Sequence, residues 1–414
     1  MSEYFDELET RDSEVREQAL FERLPHFLAA AVAVTPGWRK RLADVDLKAV
    51  SSRDALDALP VLRKPELMEA QAAEPPFGGF ADPTTLDGSR VFMSPGPVWE
   101  PQPPGLDPWH GARAFHAAGI RKGDLVHNAL SYHMTPGGFI LDSGARALGA
   151  RVFPAGVGNT EQQVEAAAFL KPDAYAGTPD YLKVMLDKAD ETGHDLSSIR
   201  KALVSGGALF PSMRADYAER GVSVMQAYAT ADLGVIAYES MLDGQPLPGM
   251  IVSEDMIVEI VRPGTGEPVP AGEVGELVVT SFNAAYPLIR FGTGDLSAVL
   301  DERSPCGRTN MRIKGWMGRA DQRTKVKGMF VDPKQVDAVV KSVPGIARAR
   351  LVVDRAGDGD AMTLMVEAAP GASPDVEALS NALIAHTKLK GAVEIASGLA
   401  NDGKVIDDRR DYSK

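Results

Sequence analysis

Between Leu125 and Ser205 short apolar runs alternate with stretches of helical spacing, and this alternation restricts the fold more than any other feature of the chain. Apolar runs at Leu125–Leu130, Ala150–Pro154, Ala174–Ala176 and Lys201–Ser205 are separated by a helix ending near Leu148, one from Thr160 and one from Pro179. Such a series predicts βαβ units around a largely parallel sheet. After Val224 the texture changes. Alternating strands at Met256–Val261 and Gly275–Thr280 are split by the turns Pro263–Glu267 and Pro270–Gly272, which predicts an added antiparallel β region. A third texture begins near Asp321. Helical spacing at Pro333–Val343 and Pro374–Lys388, with strands at Ala349–Asp354, Met362–Glu367 and Val393–Ile395, fits a small α+β domain with a polar tail. The expected fold class is therefore α/β: a large N-terminal domain, residues 1–319, and a small C-terminal domain, residues 320–414. Ahead of the sheet, amphipathic helices broken at Pro36-Gly37 lead into a Pro- and Gly-rich passage from Pro75 to Pro108.

A chain of 414 residues exceeds the usual single core, which agrees with two domains. With 57 acidic against 44 basic residues and a net charge of −13, nucleic acid and anionic membranes are excluded as main partners. A phosphate-bearing small ligand is not excluded, because a few N–H groups and one lysine suffice to hold it. Cys306 is the only cysteine, so neither a disulfide framework nor a Cys-rich metal site is available. No run of about 18 apolar residues is present to span a bilayer, and Met1–Glu17 is mostly acidic and polar. A cytoplasmic, reducing setting is expected. Monomer and dimer both stay open.

Several segments in order resemble the phenylacetate–CoA ligase branch of the adenylate-forming (acyl-CoA synthetase) superfamily, from about Arg90 to the end. They are Gly149–Pro154 leading into Thr160-Glu161, Gly177-Thr178-Pro179, Ser205-Gly206-Gly207-Ala208, Tyr228–Asp232, Gly272–Leu277, Pro287–Leu296, Gly318–Asp321 and Gly403-Lys404. The resemblance implies activation of a carboxylic acid, aromatic or small, by ATP and Mg²⁺ as an acyl-adenylate, followed by transfer to CoA. Adenylation leaves little covalent work to a protein; positioning and electrostatics dominate.

The Ser205–Ala208 turn closes a strand with small residues that let backbone approach a flat ring, or it is a plain strand-to-helix turn. The resemblance lays Gly206, Gly207 and Ala208 against adenine and puts Tyr228 and Ala229 in the nucleotide motif. Asp295, after Thr293-Gly294, is either a turn former or the acceptor of both ribose hydroxyls, which is the role the resemblance implies. By the same resemblance Arg319 is a second nucleotide contact and Asp321 the hinge of a mobile C-terminal lid. Lys404 is either a solvated lysine of the polar tail or, as the resemblance implies, the catalytic lysine; the resemblance also assigns Lys327 and Gly328 to the thioester step and turns Asp232 toward Mg²⁺.

The chain departs from the pattern where a phosphate-binding loop rich in Ser, Thr and Gly is expected. Met93–Pro101 stands there, with Ser94 and Gly96 as the remaining candidate contacts. Its prolines remove N–H donors, lysine and threonine are missing, and Glu100 adds a repelling charge. In Tyr228-Ala229-Thr230-Ala231-Asp232 a hydroxyl is lost and the carboxylate is one methylene shorter. Weaker pyrophosphate-side binding with intact adenosine recognition follows. Three readings stay open: a CoA ligase with another phosphate solution, an adenylating enzyme with a different acceptor, and a homologue that binds nucleotide or acyl-CoA without adenylating.

Tyr132, His133 and Glu239 are candidates for the acid pocket, against core hydrogen bonding for His133 and a solvated helix position for Glu239. Trp99 and Trp109 are expected to pack the proline stretch. Ala155–Thr160 lacks the third glycine of a dinucleotide fingerprint. Ser304–Arg308 keeps one cysteine, too few for structural zinc.

Overall fold

A computed structural model describes residues 3–94, 96–320, 322, 324–356, 359–396, 398–399 and 405–410. The chain divides into two compact units, Met1–Met317 and Gly318–Lys414.

The first unit is built on a nine-stranded sheet. Strands Arg151–Pro154, Leu125–Asn128, Ala174–Gly177, Lys201–Val204 and Ser223–Thr230 lie side by side and parallel, as the alternation predicted. Ala174–Gly177 is buried along its whole length, as expected of a parallel strand covered on both faces by crossover helices. The edge strand Arg151–Pro154 is half-exposed and ends in proline, which only an edge tolerates. Beyond Ser223–Thr230 the sheet turns antiparallel through Gly234–Tyr238, Met250–Val252, Arg312–Ile313 and Val299–Leu300.

A second sheet pairs Leu62–Arg63, Leu288–Ser297, Gly275–Ser281 and Met256–Val261. Helix Ser13–Val34, capped by the Asp12 carboxylate, packs Leu24 and Leu28 into the core formed with Val258 and Val279. Among the described residues no helix is long and apolar enough to cross a membrane.

The second unit has the sheet order Ala392–Ala396, Gly359–Ala368, Ile346–Ala356, Ile406–Asp408. Helices Pro333–Ser342 and Val376–Thr387 bury Val336, Val339, Leu379 and Leu383 with Leu351 and Leu364 of the sheet. Asp332 and Gln335 form a capping box at the first helix. In front of it, Thr324–Val326 and Met329–Val331 form a hairpin. Its two-residue turn, Lys327-Gly328, has φ of +48° and +82°, the geometry of a type I′ turn.

Two elements differ from expectation. Inside the proline passage, Val91–Ser94 and Val98–Pro101 pair as an antiparallel hairpin; Pro97 falls in its turn and Pro101 at its end, so they hide a strand pattern without breaking it. In the tail read as polar, Ile406–Asp408 adds a parallel edge strand, Leu351 opposite Ile406. Three residues carry too little alternation to announce a strand.

Candidate active site

The loops at the carboxyl ends of the parallel strands are the usual ligand position in such a sheet. Ser205 anchors the glycine turn there, its N–H donating to the Gly177 carbonyl at 2.9 Å. Gly206 takes φ +72° and is exposed, which a glycine adopts at little cost. A Cβ on Gly207 would stand 3.2 Å from Pro179 Cδ, so the turn packs closely on the neighbouring helix start. Gln226 Nε2 donates to the Gly207 carbonyl at 2.9 Å, tying the turn to strand Ser223–Thr230. Ala208 is half-buried beside it.

The same strand carries Tyr228, whose hydroxyl donates to Asp295 Oδ2 at 2.7 Å. Trp316 Nε1 donates to Asp295 Oδ1 at 3.0 Å. Both carboxylate oxygens are thus oriented by a donor, and a carboxylate oxygen can accept more than one hydrogen bond. Asp295 is 8% exposed, at the rim and not in the core. Register shifts between Tyr228 and Ala229, an irregularity that re-aims the strand end beside the site. Trp316 carries no motif, and the sequence did not single it out.

The hairpin that replaces the expected phosphate loop is held from two sides. Gln71 donates from Nε2 to the Trp99 carbonyl at 2.8 Å and accepts the Trp99 N–H at 2.9 Å. Met93 N–H donates to the Met134 carbonyl at 2.8 Å. Gly96 lies in the hairpin turn. Ser94 points inward, its hydroxyl donating to Glu100 Oε1 at 2.7 Å. Glu100 is 2% exposed, and its Oε2 has no partner. Lys64 Nζ lies 2.8 Å from Asp232 Oδ2, while Asp232 Oδ1 has no partner.

Burial pushes the Glu100 carboxyl well above the usual carboxylate range, and the charge of Asp232 adds to the rise; Ser94 and Lys64 pull it back. Burial likewise raises the Tyr286 phenol, with Glu100 and Asp232 reinforcing it. Glu100, Asp232, Ser94, Lys64 and Tyr286 therefore lie close enough to influence one another. Glu100 is not the outward, repelling charge the sequence suggested, but half of a buried carboxyl pair. The cation beside this pair is Lys64, at the start of helix Lys64–Ala73, which the motifs did not single out.

Of the acid-pocket candidates, Tyr132 alone is held inward. Its hydroxyl accepts from Asn128 Nδ2 at 2.7 Å and donates to Asp142 Oδ2 at 3.2 Å, and burial raises its pKa. Its ring stands edge-on to Phe139, which also meets Phe92 of the hairpin. His133 is exposed, with its backbone closed in a Ser131 turn; it satisfies no core hydrogen bond. Glu239 is corrected as well: Arg214 Nη2 donates to both its oxygens at 2.7 and 2.9 Å, and the Gln226 N–H donates at 2.7 Å. A carboxylate so engaged braces the strand and leaves little capacity for a substrate. Its partners Arg214 and Gln226 lie 25 and 13 positions away, so no local signal marked them.

In the second unit Arg319 is half-buried. Lys327 and Gly328 form the exposed hairpin tip, where Lys327 N–H donates to Asp360 Oδ2 at 2.7 Å. Asp321 and Lys404 lie outside the described residues.

Residues 144–285 match the AMP-binding enzyme family. The chain is 32% identical over 381 residues to the phenylacetate–coenzyme A ligase of Thermus thermophilus, covering 88% of this chain and 84% of that protein. It is 31% identical over 368 residues to the phenylacetate–coenzyme A ligase of Aromatoleum evansii, covering 85% and 79%. A crystal structure of 2-hydroxyisobutyryl-CoA ligase in complex with 2-HIB-AMP and CoA shares the fold with a TM-score of 0.82 at 24% identity, covering 99% of this chain and 93% of that one.

Proposed function

The chain belongs to the phenylacetate–coenzyme A ligase family of AMP-binding enzymes, and on that premise we propose that its acid is compact, either aromatic or small. The activity is AMP-forming acid–CoA ligation: a carboxylic acid becomes an acyl-adenylate and is passed to CoA. ATP and CoA are its co-substrates. The single buried Cys306 suits a reducing, cytoplasmic setting.

The observation that carries the assignment is Asp295, oriented by Trp316 and by Tyr228 of strand Ser223–Thr230, the strand to which Gln226 ties the glycine turn. In this reading Gly206, Gly207 and Ala208 back the adenine, and Asp295 accepts the ribose hydroxyls. Ala229 and Arg319 complete the nucleotide contacts. An acid oxygen attacks the α-phosphorus and the bond to pyrophosphate breaks. Then the CoA thiol attacks the acyl carbon and AMP leaves.

Lys404 stabilises the charge that develops in the first step. Residues 320–414 form the mobile lid, turning at Asp321, and Lys327 with Gly328 serve the second step. Tyr132 closes one wall of the acid pocket, and its ring and Phe139 favour a flat or compact acid. For Mg²⁺, Asp232 offers a buried oxygen without a partner, which fits a ligand role; bound there, the ion would offset polyphosphate charge.

Pyrophosphate release across a panel of aromatic and small acids, with and without CoA, tests the reading. Acid-dependent pyrophosphate and CoA-dependent thioester are expected. Release that no acid stimulates would end the proposal.

A further inference from the structure

Two carboxyl groups face each other in the interior of the first unit with a bare oxygen apiece. As carboxylates, Glu100 Oε2 and Asp232 Oδ1 accept no hydrogen bond, although a proton on either acid would bond the other, and the residues are only 2% and 6% exposed. Leaving such atoms unmatched is costly, and a buried pair of like charges is more so. Their other oxygens are held: Glu100 Oε1 by the Ser94 hydroxyl at 2.7 Å, Asp232 Oδ2 by the Lys64 ammonium at 2.8 Å. Ser94 and Lys64 thus orient the two carboxylates, as outer-shell groups do around a metal. The Tyr286 phenol also feels both carboxylates.

We propose that Glu100 and Asp232 together hold a divalent cation between Oε2 and Oδ1, a site created by the remodelled hairpin and not by the nucleotide motif alone. The proposal rests on the reading of this chain as an ATP-using ligase and adds Glu100 to it. Oxygen ligands of this kind suit Mg²⁺ or Mn²⁺, and Mg²⁺ is commonly bound by one or two carboxylates with water and phosphate completing its shell.

The charge balance explains the hairpin. Glu100, Asp232 and Lys64 sum to one negative charge when both acids are ionised, which repels polyphosphate. A divalent cation turns that sum to one positive charge. The chain then attracts the phosphates without the loop lysine and N–H donors that Pro95, Pro97 and Pro101 displace. Glu100, a liability for an anion on its own, becomes the ligand that recruits the counter-charge.

Mn²⁺ binding to the full chain without nucleotide or acid, followed by electron paramagnetic resonance and calorimetry, separates this inference from the ligase reading. One bound Mn²⁺ per chain is expected, displaced by Mg²⁺. Glu100→Gln keeps the shape and the Ser94 contact and should weaken Mn²⁺ at least ~10-fold, the low end of what metal-site changes cost. Asp232→Asn should do the same, with circular dichroism checking the fold of each. The site is refuted by a wild-type chain that binds no Mn²⁺ without nucleotide, or by equal Mn²⁺ affinity in Glu100→Gln. Tighter ATP binding by Glu100→Gln, in Mg²⁺ and in chelator alike, would also refute it, since Glu100 would then act only as a repelling charge.

Discussion

The Asp295 end of the candidate site, proposed for adenosine, and the Glu100–Asp232 end, proposed for polyphosphate, differ in how completely their carboxylates are paired. Asp295 has a donor for each oxygen, Tyr228 and Trp316; Glu100 and Asp232 each have a donor for one oxygen and leave the other bare. One end is preorganised by the protein alone. The other is assembled around a gap that a cation fits, so binding there is conditional on what fills it. Preorganised groups give their stabilisation without rearrangement, whereas the unfilled pair holds a strain that ligand binding can relieve.

The largest effect expected is that of Lys404→Ala. On the role proposed for Lys404, its loss should slow acyl-adenylate formation about 10²–10³-fold and spare thioester formation from supplied acyl-adenylate. Rapid-quench measurement of both half-reactions decides it. Equal loss of both would mean that the lysine serves the adenosine end, and the contrast between the two ends would blur.

Next comes Asp295→Ala. Hydrogen bonds to a charged group are worth roughly 1.5–3 kcal/mol, so AMP affinity by calorimetry should fall by about one to two powers of ten. The loss should be the same with and without Mg²⁺, because the adenosine end needs no cation. Unchanged AMP affinity would break the comparison at its firmer side.

Lys64→Met probes the other side. It leaves the buried Asp232 without its counter-ion, and removing one partner of a buried pair costs about 3 kcal/mol. Thermal unfolding should shift downward, and millimolar Mg²⁺ should restore part of the loss. A shift that Mg²⁺ leaves untouched would argue that the pair accepts only a proton.

The smallest effect concerns a buried acid away from both ends, which serves as the control. Arg290 Nη2 lies 2.6 Å from Glu259 Oε1, yet burial pushes this carboxyl up to about 7 against the pull of Arg290. The folded-state value lies above the unfolded one, so its contribution to stability is complete below the unfolded pKa, near 4.5. That contribution is lost as pH rises through the folded value. The melting temperature should decline by a few degrees from pH 5 to pH 8, with Glu259→Gln flattening the slope. Mg²⁺ should not alter it, in contrast to the Lys64 variant.

How much of this was legible in the sequence follows from where each signal resides. The parallel strands announced themselves because strands buried on both faces must be apolar runs, as at Ala174–Gly177. The glycine turn and Asp295 were readable because a short ordered motif specifies them. The hairpin at Val91–Pro101 was not, since proline hides alternation, and the short strand Ile406–Asp408 was invisible for want of length. The bracing of Glu239 and the exposure of His133 were not legible because nothing local tells whether a polar side chain has a partner; Arg214 is 25 positions from Glu239.

By itself, then, the sequence determined the α/β class, the small C-terminal α+β region, the nucleotide motif and the loss of the phosphate-loop lysine. Those follow from periodicity and from residue types at short spacing. Only the tertiary structure decided that Lys64 stands against Asp232, 168 positions away, that Trp316 orients Asp295, and that Glu100 turns inward. Such pairings join distant segments through space. Their energies depend on burial and on which oxygens remain unpaired, and neither is written in local order.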